Sequence, residues 1–394
     1  MSRLVILNQM AGPLFIDLTR DLSSFFTDGC VLYTSHPDSF SSFSLHYPNV
    51  KLIKSPNYNR KSLYKRVYSW FNYLVFSSFF IILSKKNDIF LLSTNPPFLG
   101  IWFWVLSKIS KSPYLIVVYD IYPDVMVSSG LLKNSSLTVK VWNYFNEKAY
   151  KNASFLVTIS NGLAHRLSEV HPHLHSKIKV IYPWADIDVI KPICSNQNQL
   201  YHKFNPDGKK VILYAGNMGI SHDIDSIVKA AYLLRHQEKF HFLFVGGGDA
   251  FQKIINFRKN KKLTNISIYN YQSLHLLPHL LSLSAVSLVA LEDDRQDLMI
   301  PSKLFSYLAS GSAVIGICSS GSEVQNIIEN NKCGVCVNPG HPKELAKVLI
   351  DLLNNDSKLS EFGTNARLAA TNKYSKQLGV SKFIENFYRY GLIK

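Results

Sequence analysis

"KVILYAGNMGISHDIDSIVKAAYLL", residues 210–234, decides the fold. It opens on an apolar, β-branched run, the composition of a strand buried on both faces. Gly216 and Gly219 punctuate a turn, and a helical stretch follows. "RLVILNQMAGPLFIDLTRDL", residues 3–22, repeats the same order at the start of the chain, with Gly12 in the turn. Two halves therefore open with one grammar.

The remaining sequence keeps to it. Short apolar runs, "DIFLLS", "YLIVVYD", "FLVTIS" and "KVIYP" in the first half and "FHFLFVGGG", "ISIYNYQ", "VSLVAL", "AVIGI" and "GVCVN" in the second, alternate with helix-length stretches. Such alternation predicts βαβ units and parallel sheets. At 394 residues the chain exceeds one ordinary core. The expectation is an α/β protein of two Rossmann-like, doubly wound domains, 1–188 and 189–375, with a last helix over 376–394 crossing back to the first. The polar, proline-bearing segment "PWADIDVIKPICSNQNQ", 183–199, marks the boundary. Ligands of such sheets bind beyond the carboxyl ends of the strands, where strand order reverses.

Composition narrows the partners. The balance of 43 Lys and Arg against 27 Asp and Glu gives a net charge of +16, which favours phosphorylated substrates, anionic lipid headgroups or nucleic acid. No recognition motif accompanies that charge, so nucleic acid is set aside. Cys30, Cys194, Cys318, Cys333 and Cys336 are scattered, the usage of reduced thiols rather than of a disulfide framework. Cys333 and Cys336 form a C-x-x-C without a second Cys or His pair, so burial near a strand is expected there and not a metal. In "MSRLVILNQM" the apolar run is only Leu4 to Leu7, which predicts no secretory leader and a cytoplasmic protein.

Lys303 is the odd residue of "IPSKLFSYLASGSAVIG", 300–316. Pro301 and Ser302 mark a helix start, Leu304, Phe305, Leu308 and Ala309 follow helical spacing, and Gly311 ends the element. A cation there opposes the helix dipole. It makes sense if the ammonium and the helix-start N–H groups together receive an anion; a solvated lysine is the alternative. "YAGNMG", 214–219, permits a ligand to approach the backbone but lacks the G-x-G-x-x-G spacing of a dinucleotide fingerprint. "FVGGGDA", 244–250, is a second glycine turn, equally explained by tight packing. "VVYDIYPD", 117–124, ends a strand on Asp120, placed for general-base or sugar-hydroxyl contacts, and on Asp124, which suits a turn. In "EDDRQD", 292–297, the carboxylates suit a solvated loop better than a metal, and Arg295 suits a phosphate.

Residues 60–86, "RKSLYKRVYSWFNYLVFSSFFIILSKK", raise the question of a membrane. The run from Trp70 to Leu83 is too short to span a bilayer. Its basic flanks and aromatic residues suit the headgroup layer, and "FLGIWFWVLSKISK", 98–111, adds a second such stretch. A buried core helix is the alternative.

Together these motifs resemble the retaining GT-B glycosyltransferases of family 4, in the branch, similar to L-fucosamine transferases, that builds bacterial surface polysaccharides. The resemblance covers nearly the whole chain. It is carried by "NPPFLGIW…VVYDIYPD", "NASFLVTISNGL", "VILYAGNMG", "FVGGG", "IPSKLFSYLASGSAVIG…GSEV" and "NKCGVCVNPGHPKELAKVL". It implies two Rossmann-like domains around a cleft, a UDP-linked sugar donor held mainly by the second, and a polyprenyl-diphosphate-linked acceptor. It also implies transfer of a hexosyl or N-acetylhexosaminyl group with retention and without a metal. Carried over by motif, Lys303 and Ser302 contact the donor diphosphate, with Arg295 as a helper. Gly216 and Asn217 match the turn facing the donor, and Gly12 the loop that lets donor and acceptor come close. Asp120 falls near the transferred sugar, and Ser322 and Glu323 beside the donor. Many relatives carry two glutamates eight residues apart where this chain has Leu298 and Ser306, which implies an altered donor preference. Two readings stand beside this one. A nucleotide-sugar epimerase of the same architecture leaves the aromatic segments unexplained, and a non-catalytic membrane scaffold is favoured if the missing glutamates mean decay.

Overall fold

The computed structural model describes residues 2–36, 49–59, 62–205, 207–219, 221–292 and 300–393. The chain divides into two compact units, Met1–Tyr182 with Gln377–Lys394, and Pro183–Lys376.

The first unit holds a seven-stranded sheet of β1 (Arg3–Leu7), β2 (Cys30–Thr34), β3 (Val50–Lys54), β4 (Asp88–Ser93), β5 (Tyr114–Val118), β6 (Leu156–Thr158) and β7 (Ile178–Val180). All pairs are parallel, in the order β3-β2-β1-β4-β5-β6-β7. Strand order thus reverses between β1 and β4. β2, β4 and β5 are buried at every residue, as strands covered on both faces must be. The covering helices are α1 (Pro13–Leu22), α2 (Leu63–Ile82), α3 (Leu99–Ser110), α4 (Asp124–Ser128), α5 (Leu137–Asn152) and α6 (Asn161–Val170). Ser62, Ser136 and Ser160 start α2, α5 and α6, each accepting an N–H three residues on, which satisfies one otherwise orphaned donor per helix.

The second unit repeats the plan with six strands: β8 (Lys210–Asn217), β9 (Phe240–Gly247), β10 (Ile266–Tyr269), β11 (Ser284–Ala290), β12 (Ala313–Ile317) and β13 (Gly334–Val337). Their order, β10-β9-β8-β11-β12-β13, is again parallel and reverses between β8 and β11. The helices of seven or more residues are α7 (Ile224–Leu233), α8 (Phe251–Asn260), α9 (Lys303–Ala309), α10 (Glu323–Asn330), α11 (Pro342–Leu353) and α12 (Asp356–Lys373). Ile212, Phe242, Leu288 and Ile315 of the sheet pack with Ile227 of α7 and Leu349 of α11 in one core. α13 (Lys376–Arg389) ends the chain, its Phe387 ring edge-on to Phe26 at 5.5 Å and to Phe155 at 6.0 Å in the first unit.

The cysteines make no disulfide. Cys333 and Cys336 do not act as a pair. The buried Cys333 thiol donates to the Ile328 carbonyl at 3.3 Å, whereas the Cys336 sulfur lies with that of Cys318, the residue after β12, beside Gly316. Among the described residues no three His, Cys, Asp or Glu side chains are grouped to hold a metal ion. No described helix is long and apolar enough to cross a membrane.

Candidate functional site

In the second sheet, β8 and β11 are paired only at first. β8 stays with β9 out to the pair Asn217–Gly247, but with β11 only to Leu213–Ser287. Past Leu213, the β8 groups that faced β11 need other partners. α9 supplies them from two side chains four residues apart, the spacing that puts both on one helix face. The Tyr307 hydroxyl accepts from the Ala215 N–H at 2.8 Å and donates to its carbonyl at 3.2 Å. The Lys303 ammonium donates to the Asn217 carbonyl at 3.0 Å. The lysine that opposes its helix dipole is therefore held by the open end of a strand.

Its surroundings make the ammonium responsive. Lys303 is half-buried, its Nζ lies 3.9 Å from the Tyr214 ring centroid, and burial lowers its pKa to about 7. The Tyr214 hydroxyl hydrogen-bonds His222 Nδ1 at 2.8 Å, and the Gly219 N–H donates to the same nitrogen at 3.3 Å. Burial, with the charge of Lys303 added, lowers His222 to about 4. The imidazole is neutral near pH 7, and Nδ1 serves the Gly219 N–H as an acceptor. Tyr214 and His222 so fasten both sides of the glycine turn.

The turn itself is bare backbone. Gly216 has φ +106°, in the region that favours glycine, and a β-carbon there would stand 3.6 Å from Lys303 Cε. Gly246, at φ +149°, packs so closely that a β-carbon would run into the Gly216 carbonyl. A cavity of about 380 Å³ opens beside the turn, lined by Gly219, His222, Asp223, Asp249, Lys253 and Glu292. Its carboxylates make it the wrong side of the turn for a diphosphate; the Lys303 side is the cationic one. A larger cavity, about 680 Å³, lies between α8 and β10 and shares none of these residues.

Of the other residues singled out in this half, Ser302 sits at the start of α9 but with helical dihedrals (φ −58°, ψ −24°), so its exposed hydroxyl caps nothing, contrary to the N-cap expected of it. Ser322 does cap: it accepts from the Gln325 N–H at 3.3 Å at the start of α10. Ser322 and Glu323 are both buried beyond the carboxyl end of β12. Ser306 lies on α9, and Arg295 and Leu298 fall outside the described residues.

Gly12 and Asp120 belong to the first unit. Gly12 starts α1 beside the reversal of strand order, and nothing lies within 4 Å of where its β-carbon would be. The tips of β1, β4 and β5 are tied together there: the Gln9 N–H donates to the Asn95 carbonyl at 3.2 Å, and Thr94 Oγ1 accepts from the N–H groups of Tyr119 (3.1 Å) and Asp120 (3.2 Å). Burial pushes the Asp120 carboxyl above the usual carboxylate range. Tyr122 is pushed up by burial and by the charge of Asp120, with Tyr58 and Arg66 also close enough to act on it. Trp142 stacks on Phe98 at 4.2 Å and parallel to Tyr122 at 5.9 Å. The Trp142 indole nitrogen and Arg66 Nε are buried without a hydrogen-bond partner among the described residues. Asp124 instead pairs with Arg166 at 2.7 Å at the start of α4.

Tyr214, His222, Tyr307, Arg66 and Trp142 were not among the residues picked from the sequence. Tyr307 had a signal, its place four residues after Lys303 on one helix face.

Comparison with known proteins agrees with this geometry. Residues 197–369 match the family model described as "Glycosyl transferases group 1". A Pseudomonas aeruginosa protein named as a glycosyltransferase, WbjE, is 24% identical over 332 residues, 84% of this chain and 82% of its own length. An Escherichia coli K12 protein named as a colanic acid biosynthesis glycosyl transferase, WcaI, is 25% identical over 288 residues, 72% of this chain and 69% of its own. Among solved structures, Anabaena HepE in complex with UDP-glucose superposes with a TM-score of 0.74 at 13% identity, covering 99% of this chain and 100% of HepE. The fold is that of the GT-B glycosyltransferases, and the matches support a glycosyltransferase.

Proposed function

We propose that this chain transfers a hexose or N-acetylhexosamine from a UDP-linked donor to a polyprenyl-diphosphate-linked saccharide in bacterial surface-polysaccharide assembly. Transfer occurs in the cytoplasm, with retention of anomeric configuration and without a metal. The observation that carries this reading is the Lys303 ammonium beside the bare Gly216 turn, at the carboxyl end of the strand where sheet order reverses. Supporting it are the glycosyltransferase match and relatives, the colanic acid biosynthesis for which one of them is named, and the UDP-glucose held by HepE.

In this chemistry the bond between the anomeric carbon and the β-phosphate oxygen breaks. The acceptor oxygen bonds to the same face of the sugar, and its proton passes to the departing phosphate. Charge builds on the diphosphate, so a preorganised cation there lowers the barrier more than a strong nucleophile would. Lys303 supplies that cation, and Gly216 lets the phosphates come close to backbone. In the first unit, Asp120 with its raised pKa offers a carboxyl to a sugar hydroxyl. Arg66, whose buried Nε has no hydrogen-bond partner among the described residues, offers a guanidinium to the acceptor's diphosphate, and the Trp142–Tyr122 stack offers an apolar face to a sugar ring. Leu298 and Ser306, standing in place of two carboxylates, fit a donor preference unlike that of many relatives.

The test is turnover of a panel of UDP-sugars on a polyprenyl-diphosphate acceptor, read by mass spectrometry, with the product anomer read by NMR. Lys303→Ala lowers kcat by about 10² or more, by analogy with losing one preorganised donor. Near-full activity in that variant, or an inverted anomer, overturns the reading.

A further inference from the structure

We infer that the outer face of α2, α3 and α5 in the first unit docks on an anionic lipid surface. The three helices pack side by side, α2 on α3 and α3 on α5. They leave a broad apolar surface uncovered. On α2, Tyr64, Phe71 and Phe79 are 79%, 61% and 59% exposed. On α3 and α5, Ile109 (68%) and Leu137 (75%) are equally bare. Large apolar side chains left bare side by side on one face mark a contact site.

Charge selects the occupant. α2, α3 and α5 carry one carboxylate, Glu147, and that one faces His173 at 3.5 Å. Against it stand Lys65, Lys108, Lys140, Lys148 and Lys151 on the same helices, and Lys85, Lys86 and Lys111 are exposed at the ends of α2 and α3. The cations are interleaved with rings: Lys108 Nζ lies 4.5 Å from the Trp104 centroid and Lys148 Nζ 5.1 Å from that of Tyr144. A second copy of this chain would meet like charge with like. An anionic bilayer offers apolar depth to the rings and phosphates to the cations. No described helix crosses a membrane, so the contact is one of lying on the surface. The inference draws its evidence from a face that shares no residue with the Lys303 site, and it rests on the proposed function only for its purpose, bringing a lipid-linked acceptor within reach.

The experiment is flotation of the full chain with phosphatidylcholine vesicles, with and without about a third phosphatidylglycerol. The wild type is expected to float on the anionic vesicles and not on the neutral ones. Phe71→Ser/Phe79→Ser/Ile109→Ser, all at exposed positions, is expected to lower the partition at least tenfold, at roughly fivefold per lost group. Lys65→Glu/Lys108→Glu/Lys140→Glu should lower it at least as far, at roughly fivefold per charge. UDP-induced thermal stabilisation is measured in parallel on each variant to show an intact fold. Failure of the wild type to float at low salt, or flotation of both variants like wild type, overturns the docking. So does light scattering that finds a dimer dissolved by the serine variant while vesicles stay unbound. Flotation without any UDP shift would instead overturn the proposed function and leave the docking face standing.

Discussion

Proton linkage at Lys303 gives a quantitative handle on the donor site. Its pKa is lowered to about 7 because the ammonium is taken out of water without a carboxylate to meet it among the described residues. Below that pH the side chain is already charged; above it the free protein is increasingly neutral. A bound diphosphate restores the reason to be charged and moves the pKa back toward its ordinary value, so binding takes up a proton. The affinity for UDP should therefore fall as pH rises, by about tenfold, ~1.4 kcal/mol at 25 °C, for each unit above 7.5. The phosphate's own ionisation is complete by roughly that pH, which leaves the lysine as the titrating group. Isothermal titration between pH 7.5 and 9, in buffers of different ionisation enthalpy, reads both the slope and the proton uptake. Lys303→Arg keeps a fixed charge and should flatten the slope. A wild-type Kd that changes less than about twofold over that range, with no proton uptake, refutes the reasoning.

Other residues make separate predictions. Tyr307→Phe strands the Ala215 N–H and carbonyl in a buried place, so denaturant melts should show a loss of about 1–3 kcal/mol, and a weaker UDP affinity should follow from the loosened turn. Gly246→Ala forces a β-carbon against the Gly216 carbonyl at a positive φ, and should cost at least about 2 kcal/mol by the same melts while abolishing the UDP shift. The Arg367 guanidinium donates to the carbonyls of Ile187, Ile190 and Ala309, tying the start of the second unit to the end of α9; Arg367→Ala should cost about 2 kcal/mol, read as a lower Tm. Retention of wild-type stability in any of the three would show that the contact named is not what holds the turn or its helix.

Much of the fold was legible because parallel strands buried on both faces must be continuous apolar runs. "DIFLLS" is β4 residue for residue, and "AVIGI" is β12. β2 and β3 escaped the same rule. β3, "VKLIK", is an edge strand with two exposed lysines, Lys51 and Lys54, and its run is too broken to stand out. At the site, Lys303 and Gly216 were visible as oddities, a cation at a helix start and a glycine at a strand end. Their meeting was not, because it depends on where β8 parts from β11, which no local pattern encodes. The same holds for Tyr214 and His222, ordinary residues whose role comes from burial beside the turn. Ser302 shows the opposite error: a good capping residue in sequence whose backbone is already helical and whose side chain points its hydroxyl at no N–H.

The central claim is that a nucleoside diphosphate sits against Lys303. The most direct measurement is thermal stabilisation of the purified chain by a panel of nucleoside diphosphates, beside Lys303→Ala. At about 100 times its Kd, a ligand of the native state adds roughly 2.7 kcal/mol to stability. UDP is expected to raise the Tm of the wild type and to raise that of the variant much less. A panel in which no nucleotide shifts the wild type, or in which UDP shifts both proteins equally, would contradict it.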